Sequence, residues 1–174
     1  MGYLISAYFD VESNQILSRY IQEIAELTGN HFMTDNKVPP HLTVSFFEAR
    51  NDDIAKDLFC GIQDKLDSGE IIIPSVGIFF PSVIYAEAVQ NEYLFEISKL
   101  IHEEIINHEE VIENRYYLPM SWLPHITLAK TLDDEQMKLA FEYMQKHFVS
   151  IKSKVERVGL AKTNPHQEIM DIKL

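Results

Sequence analysis

Apolar residues recur along the chain with a period of about two in some stretches and about 3.6 in others, and each change of period marks a change of element. Tyr3 to Phe9 is an apolar run that predicts a strand. Ile16, Tyr20, Ile24 and Leu27 follow at helical spacing between Ser13 and Gly29. A polar loop through Asn30, Asp35 and Asn36 reaches Pro39-Pro40, where proline forbids a helix, and His41 to Phe46 then alternates as a strand. Asn51 to Ser68 carries Ile54, Leu58, Ile62 and Leu66 on one helical face, with Ser68-Gly69 as the stop before Ile71-Ile72-Ile73.

The order β-α-β-α-β then repeats. Val83 to Val89 predicts a strand, Asn91 to His108 a helix with Leu94, Ile97, Ile101 and Ile105 on its face, and a loop runs to Pro124. Asp133 to Phe148 predicts the last helix, with Asp133 and Gln136 as a capping box, before strands at Ile151 to Ala161 and Glu168 to Leu174 joined by a turn at Asn164-Pro165. The repeat is visible in the residues themselves. Val38-Pro39-Pro40-His41-Leu42-Thr43-Val44 aligns without a gap on Trp122-Leu123-Pro124-His125-Ile126-Thr127-Leu128. An internal duplication of this kind predicts an α/β (α+β) bilobal fold, two pseudo-symmetric β-α-β-α-β halves whose sheets face a central cleft with helices outside. The expected organisation is one domain over residues 1–174, with lobes of about 1–76 and 77–174 between which strands could be exchanged.

Composition narrows the function classes. A chain of 174 residues with 46% hydrophobic and 24% charged residues can bury a core and is long enough for one domain. With 15 basic against 27 acidic residues the formal charge is −12, which opposes sequence-independent binding to long nucleic acid and leaves room only for a local basic pocket. A single cysteine, Cys60, permits no internal disulfide, and no leader or long apolar run is present, so a cytoplasmic monomer without a membrane partner is expected. Met1-Gly2-Tyr3-Leu4-Ile5-Ser6 fits a myristoylation pattern, but no polybasic cluster follows, and these residues read better as the start of a strand.

Two residues apart on a strand, His41 and Thr43 share one face while Leu42 and Val44 point to the core, and the same holds for His125 and Thr127. Ser45 continues the first motif's face, either extending a phosphate site or bonding to backbone. Chance gives about 0.24 His-x-Thr pairs in a chain of this composition, so two with shared proline and order are a signal. Paired imidazoles across a cleft suit in-line displacement at phosphorus, one accepting the proton of the attacking hydroxyl and the other protonating the leaving oxygen. Threonine hydroxyls can hold the nonbridging oxygens. This scheme calls for no metal or other cofactor.

The motifs His41-Leu42-Thr43-Val44 and His125-Ile126-Thr127-Leu128, with Val76-Gly77-Ile78-Phe79-Phe80-Pro81 between them, resemble the two-histidine (2H) phosphoesterase superfamily over nearly the whole chain, and most closely its 2′-5′ RNA ligase-like branch. The resemblance implies metal-independent action on 2′,3′-cyclic phosphates or 2′-5′ phosphodiester bonds of RNA ends or nucleotides, with the reverse ligation in some members. It makes His41 and His125 the catalytic pair and Thr43 and Thr127 the phosphate ligands. Family members often carry a basic residue just after the second motif; Lys130 stands there, although strict alternation puts it opposite His125 unless the strand is ending. The expected partner is an RNA end or small cyclic nucleotide. A non-catalytic nucleotide or RNA-end binder retaining the cleft is the alternative.

Other residues carry weaker signals. Tyr116, Tyr117 and Trp122 can stack on a base or pack their loop onto the core, and Arg115, Lys37 and Lys162 can contact phosphate or remain solvated. Cys60 reads as small core filler. His102 and His108 do not share a helix face, and His31, His147 and His166 lie near ends or loops, where solvated or capping roles are expected; none forms a metal pattern.

Overall fold

The computed structural model describes residues 1–163 and 165–174, so Asn164 of the turn expected at Asn164-Pro165 lies outside the described residues. Among the described residues the chain forms nine strands and five α-helices. The first half runs β1 (Gly2–Phe9), α1 (Val11–Thr28), a short α2 (Phe32–Asp35), β2 (Leu42–Ala49), α3 (Asp52–Ile62) and β3 (Gly69–Ile73). After it come β4 (Ser75–Phe79), β5 (Val83–Glu87), α4 (Glu92–Ile106), β6 (Val111–Glu113), β7 (His125–Ala129), α5 (Asp134–His147), β8 (Ile151–Lys162) and β9 (Gln167–Lys173). No described helix is long and apolar enough to cross a membrane.

Local chemistry sets the helix ends. Asp10 caps α1 by accepting from the Ser13 N–H at 2.8 Å, and Gly29 closes it in the left-handed conformation, φ 69°, which glycine adopts without steric cost. The capping box expected at the start of α5 forms between Asp133 and Gln136. Helix α3 ends at Ile62, six residues before the expected stop: Gln63–Lys65 tightens into a 3-10 turn and Leu66 is extended. Gly69, expected in the stop, is the first residue of β3, and a Cβ there would run into the Tyr93 ring. Cys60, expected in the core, is exposed; the buried stripe of α3 is Ala55, Leu58, Phe59 and Ile62.

The two sheets are unequal, which the repeat did not foreshadow. One runs β3-β8-β1-β2-β6 with β9 also on β8; the other is β4-β5-β7, and every pairing is antiparallel. The closing segments of the two halves pair with each other, Gly69↔Val155 through Ile73↔Ile151. Each presents its buried side chains, Ile71 and Ile73 against Ile151, Ser153 and Val155, to the same core. Pro74, which has no N–H to give a ladder, then releases the chain into β4 beside β5, while β8 continues beside β1. Helices cross over as well: α1 packs on α5 and on β7 of the smaller sheet, and α4 packs on α3 and on β2 of the larger. The motif strands β2 and β7 consequently meet in the middle of the molecule.

Candidate active site

Each motif histidine sits where a proline-bounded loop enters its strand, and each is fixed in the same way. His41 Nδ1–H donates to the Pro39 carbonyl at 2.8 Å, and His125 Nδ1–H donates to the Leu123 carbonyl at 2.8 Å. A carbonyl can only accept, so the proton of each neutral ring is on Nδ1 and the lone pair on Nε2. Burial pulls the His41 pKa down to about 4, and the neighbouring His166, His125 and Lys130 push in the same direction against the Pro39 bond. Burial also lowers His125, opposed by its bond to Leu123. The two imidazoles are near enough for His125 to act on His41 electrostatically; each Nε2 lone pair can accept a proton, and an anion bound between them favours returning one.

A β-bulge follows the threonine of each motif. Thr43 pairs with Ser6 and Ser45 with Ile5, so Val44 is the extra residue; Thr127 pairs with Tyr85 and Ala129 with Ile84, so Leu128 is its counterpart. Cross-strand partners share a face, so the bulge reverses the alternation that the sequence suggested. Ser45 therefore faces the helices with Ile5 and Phe47, fully buried, and its hydroxyl donates to Glu113 Oε1 at 3.4 Å. The phosphate role expected for Ser45 is thus corrected. By the same reversal Lys130 comes onto the face of Thr127, where strict alternation would have hidden it; it lines a cavity with His41 and Thr127, its Nζ 4.5 Å from the centre of the Phe32 ring.

Two cavities flank the histidine pair. The one beside His41, about 160 Å³, is lined by Thr127, Lys130, His166 and Asn36 over an apolar floor that includes Phe32 and Leu4. The one beside His125, about 360 Å³, is lined by Phe79, Tyr116, Tyr117, Ser121, Trp122 and Leu123. Phe79 meets the His125 ring edge-on at 4.8 Å. Of the aromatics expected as stacking partners, Tyr116 is exposed, Tyr117 is half-buried against Phe46, and Trp122 is buried with its indole N–H bonded to the Thr43 carbonyl. Trp122 is thus a wall of this cavity and a support for the first motif.

The remaining candidates are placed elsewhere. Arg115 lies over the Tyr116 ring and lines a groove with Glu48 and Glu113 that includes neither imidazole. Lys162 is paired with Asp52 at 2.7 Å, Lys37 is exposed, His102 bonds Glu113, and His108 bonds the Glu104 carbonyl. Among the described residues no three His, Cys, Asp or Glu side chains gather in a metal-holding cluster. Sequence reasoning missed His166, expected to be solvated, whose ring stacks on His41 with centroids 5.7 Å apart. Its only sequence signal is a third Pro-His pair, Pro165-His166, which recurs without the threonine that marks the other two.

Comparison with known proteins bears on the fold and the family. No curated protein sequence matches the chain. Among solved structures, TT0787 of Thermus thermophilus superposes with a TM-score of 0.66 at 15% identity, covering 100% of this chain and 98% of that one. LigT of E. coli complexed with 3′-AMP gives 0.65 at 12% identity over 99% and 97%, and a structure described as a phosphoesterase gives 0.63 at 14% over 99% and 98%. These likenesses show a shared fold of two antiparallel sheets with flanking helices. The family model described as 2′-5′ RNA ligase superfamily matches residues 14–167, nearly the whole length and both His-x-Thr strands, and the chain therefore belongs to the 2′-5′ RNA ligase superfamily.

Proposed function

We propose that this protein is a metal-independent phosphoesterase that acts on 2′,3′-cyclic phosphate or 2′-5′ phosphodiester bonds of RNA ends or nucleotides. The observation that carries the reading is the matched pair of imidazoles, each held by an Nδ1–H bond of 2.8 Å to a carbonyl two residues earlier, with Nε2 left to the cleft. In ring opening one Nε2 takes the proton of the attacking water as oxygen adds to phosphorus. The other imidazolium gives its proton to the departing ribose oxygen, so one proton enters and one leaves the pair. Ligation is the same path reversed, with a ribose hydroxyl as nucleophile. Thr43 and Thr127, on the cleft faces of β2 and β7, hold the nonbridging oxygens, and Lys130 offsets their charge. The apolar cavity beside His125 suits a base stacked on Tyr116 and Phe79. A LigT structure holds 3′-AMP, a nucleotide of the size such a cleft would accept.

The test is turnover of 2′,3′-cyclic nucleotides and 2′-5′-linked dinucleotides in the presence of chelator, for the parent chain and for His41→Ala and His125→Ala. Turnover that disappears in both folded variants supports the assignment. Turnover indifferent to both substitutions refutes it, and binding of these compounds without turnover makes the protein a nucleotide or RNA-end binder.

A further inference from the structure

The two cavities beside the histidine pair differ in chemistry. Acidic residues outnumber basic ones by 27 to 15, and in three other surface grooves carboxylates accompany the cations: Asp10, Glu12 and Glu70 beside Lys152 and Lys154, Asp67 and Glu96 beside Lys65, and Glu48 and Glu113 beside Arg115. The cavity beside His41 has no carboxylate among its lining residues, and it gathers Lys130, His166 and His41. Lys130 is held there by the face of Phe32 and has no carboxylate within 4 Å among the described residues. The Glu168 carboxylate, two residues beyond His166, is bonded to Arg157 at 2.7 Å. Cationic and hydrogen-bond-donating groups converge here while the nearby acid is committed elsewhere, an arrangement that favours an anion.

His166 itself is placed for such a ligand. Its ring lies nearly parallel to that of His41, at 24°; burial disfavours a charge on either ring and Lys130 adds to this for both, His166 adds to it for His41, and Glu168 opposes it for His166. An anion against them offsets that penalty. His41 and Thr127 line this cavity and His125 and Thr43 do not, so it adjoins the position of the reacting phosphorus on the His41 side and extends from it to His166 and Asn36.

We propose that His166 and Asn36, beside the Lys130 that also faces the cleaved phosphate, form a subsite for a second phosphate group of the substrate. This rests on the two-histidine reading above and adds to it an orientation, with base toward His125 and a further phosphate beyond His41. The second phosphate is either a 5′-monoester on the same nucleotide or the diester linking it to the preceding one.

The experiment compares kcat/KM for three substrates: a nucleoside 2′,3′-cyclic phosphate, the same compound with a 5′-phosphate, and a dinucleotide ending in the cyclic phosphate. In the parent, one of the two compounds with the added phosphate should be favoured about tenfold or more, through KM, and which one identifies the source. In His166→Ala the ratio should fall towards one, and His166→Lys should restore it. Equal kcat/KM for all three in the parent, or a ratio unchanged in His166→Ala, overturns the subsite while leaving the two-histidine reading intact. Should none be turned over, calorimetry with pyrophosphate and inorganic phosphate decides the matter. Pyrophosphate binding at least tenfold tighter, with the difference lost in His166→Ala, supports the subsite, and equal affinities refute it.

Discussion

Trp122 Nε1–H donates to the main-chain carbonyl of Thr43 at 3.0 Å, a buried bond from the loop entering the second motif to the strand carrying the first. The two motifs are 84 residues apart in sequence, and this bond joins their elements directly. Its loss should be felt in both stability and catalysis. Trp122→Phe keeps most of the ring but leaves the Thr43 carbonyl without this donor, and the expected cost is about 1–3 kcal/mol. Urea unfolding measures it, and an unchanged midpoint would show that the bond contributes nothing.

Removing either motif imidazole should lower kcat by roughly 10²- to 10⁴-fold without unfolding the chain, since each supplies one proton transfer. The double variant His41→Ala with His125→Ala should lose little beyond the worse single one, because the pair acts as a unit. Multiplied losses would argue against that coupling. Single-turnover kinetics with a cyclic nucleotide, alongside circular dichroism, provides the comparison.

The depressed imidazoles give the pH dependence a sign. Burial favours neutral His41 in the fold, with a pKa of about 4 against 6.5 in the unfolded chain. Below pH 6.5 the unfolded state therefore binds more protons, so the contribution of His41 to stability is full above 6.5 and is lost as pH falls towards 4. Over that window His41→Asn should lose less stability than the parent in urea unfolding; parallel losses would contradict the depressed pKa. Activity needs one neutral and one protonated ring, and both are lowered by burial, so kcat/KM should peak on the acid side of 6.5.

The paired bulges make opposite expectations for two residues close to the motifs. Lys130→Met should raise KM about tenfold or more by removing a charged contact to phosphate. Ser45→Ala, on the helix side of β2, should leave KM within about a factor of two of the parent, since its hydroxyl serves Glu113 across a 3.4 Å bond. A large rise in KM for Ser45→Ala would mean that the bulge at Val44 does not reverse the strand.

Tyr116 is exposed at the mouth of the cavity beside His125. If a base stacks there, Tyr116→Ala should weaken nucleotide substrates by about 1–3 kcal/mol in kcat/KM and leave ribose 2′,3′-cyclic phosphate, which lacks a base, much less affected. Equal losses for both substrates would place the base elsewhere.

Local order was legible in the sequence because it depends on near neighbours. The 3.6-residue rhythm of Ile16, Tyr20 and Ile24 gave α1, the Asp133-Gln136 box gave the start of α5, and the gapless repeat around His41 and His125 gave the catalytic candidates and the family. Helix α2 and strand β6 escaped notice because three or four residues carry too little periodicity, and β6 exists only as an edge against β2. Alternation also misled where it was trusted past the threonines, since a bulge at Val44 or Leu128 is a property of the ladder with β1 or β5 and not of the strand alone.

Residues within a few positions of one another thus settled most of the elements, the duplication and the chemistry of the two motifs. Contacts between distant segments were needed to put β8 between β3 and β1, to turn Lys130 toward the cleft and Ser45 away from it, and to rest His166 on His41 across 125 residues of chain. Those placements follow from which strands pair and in what register, and pairing is a long-range choice made by the common core.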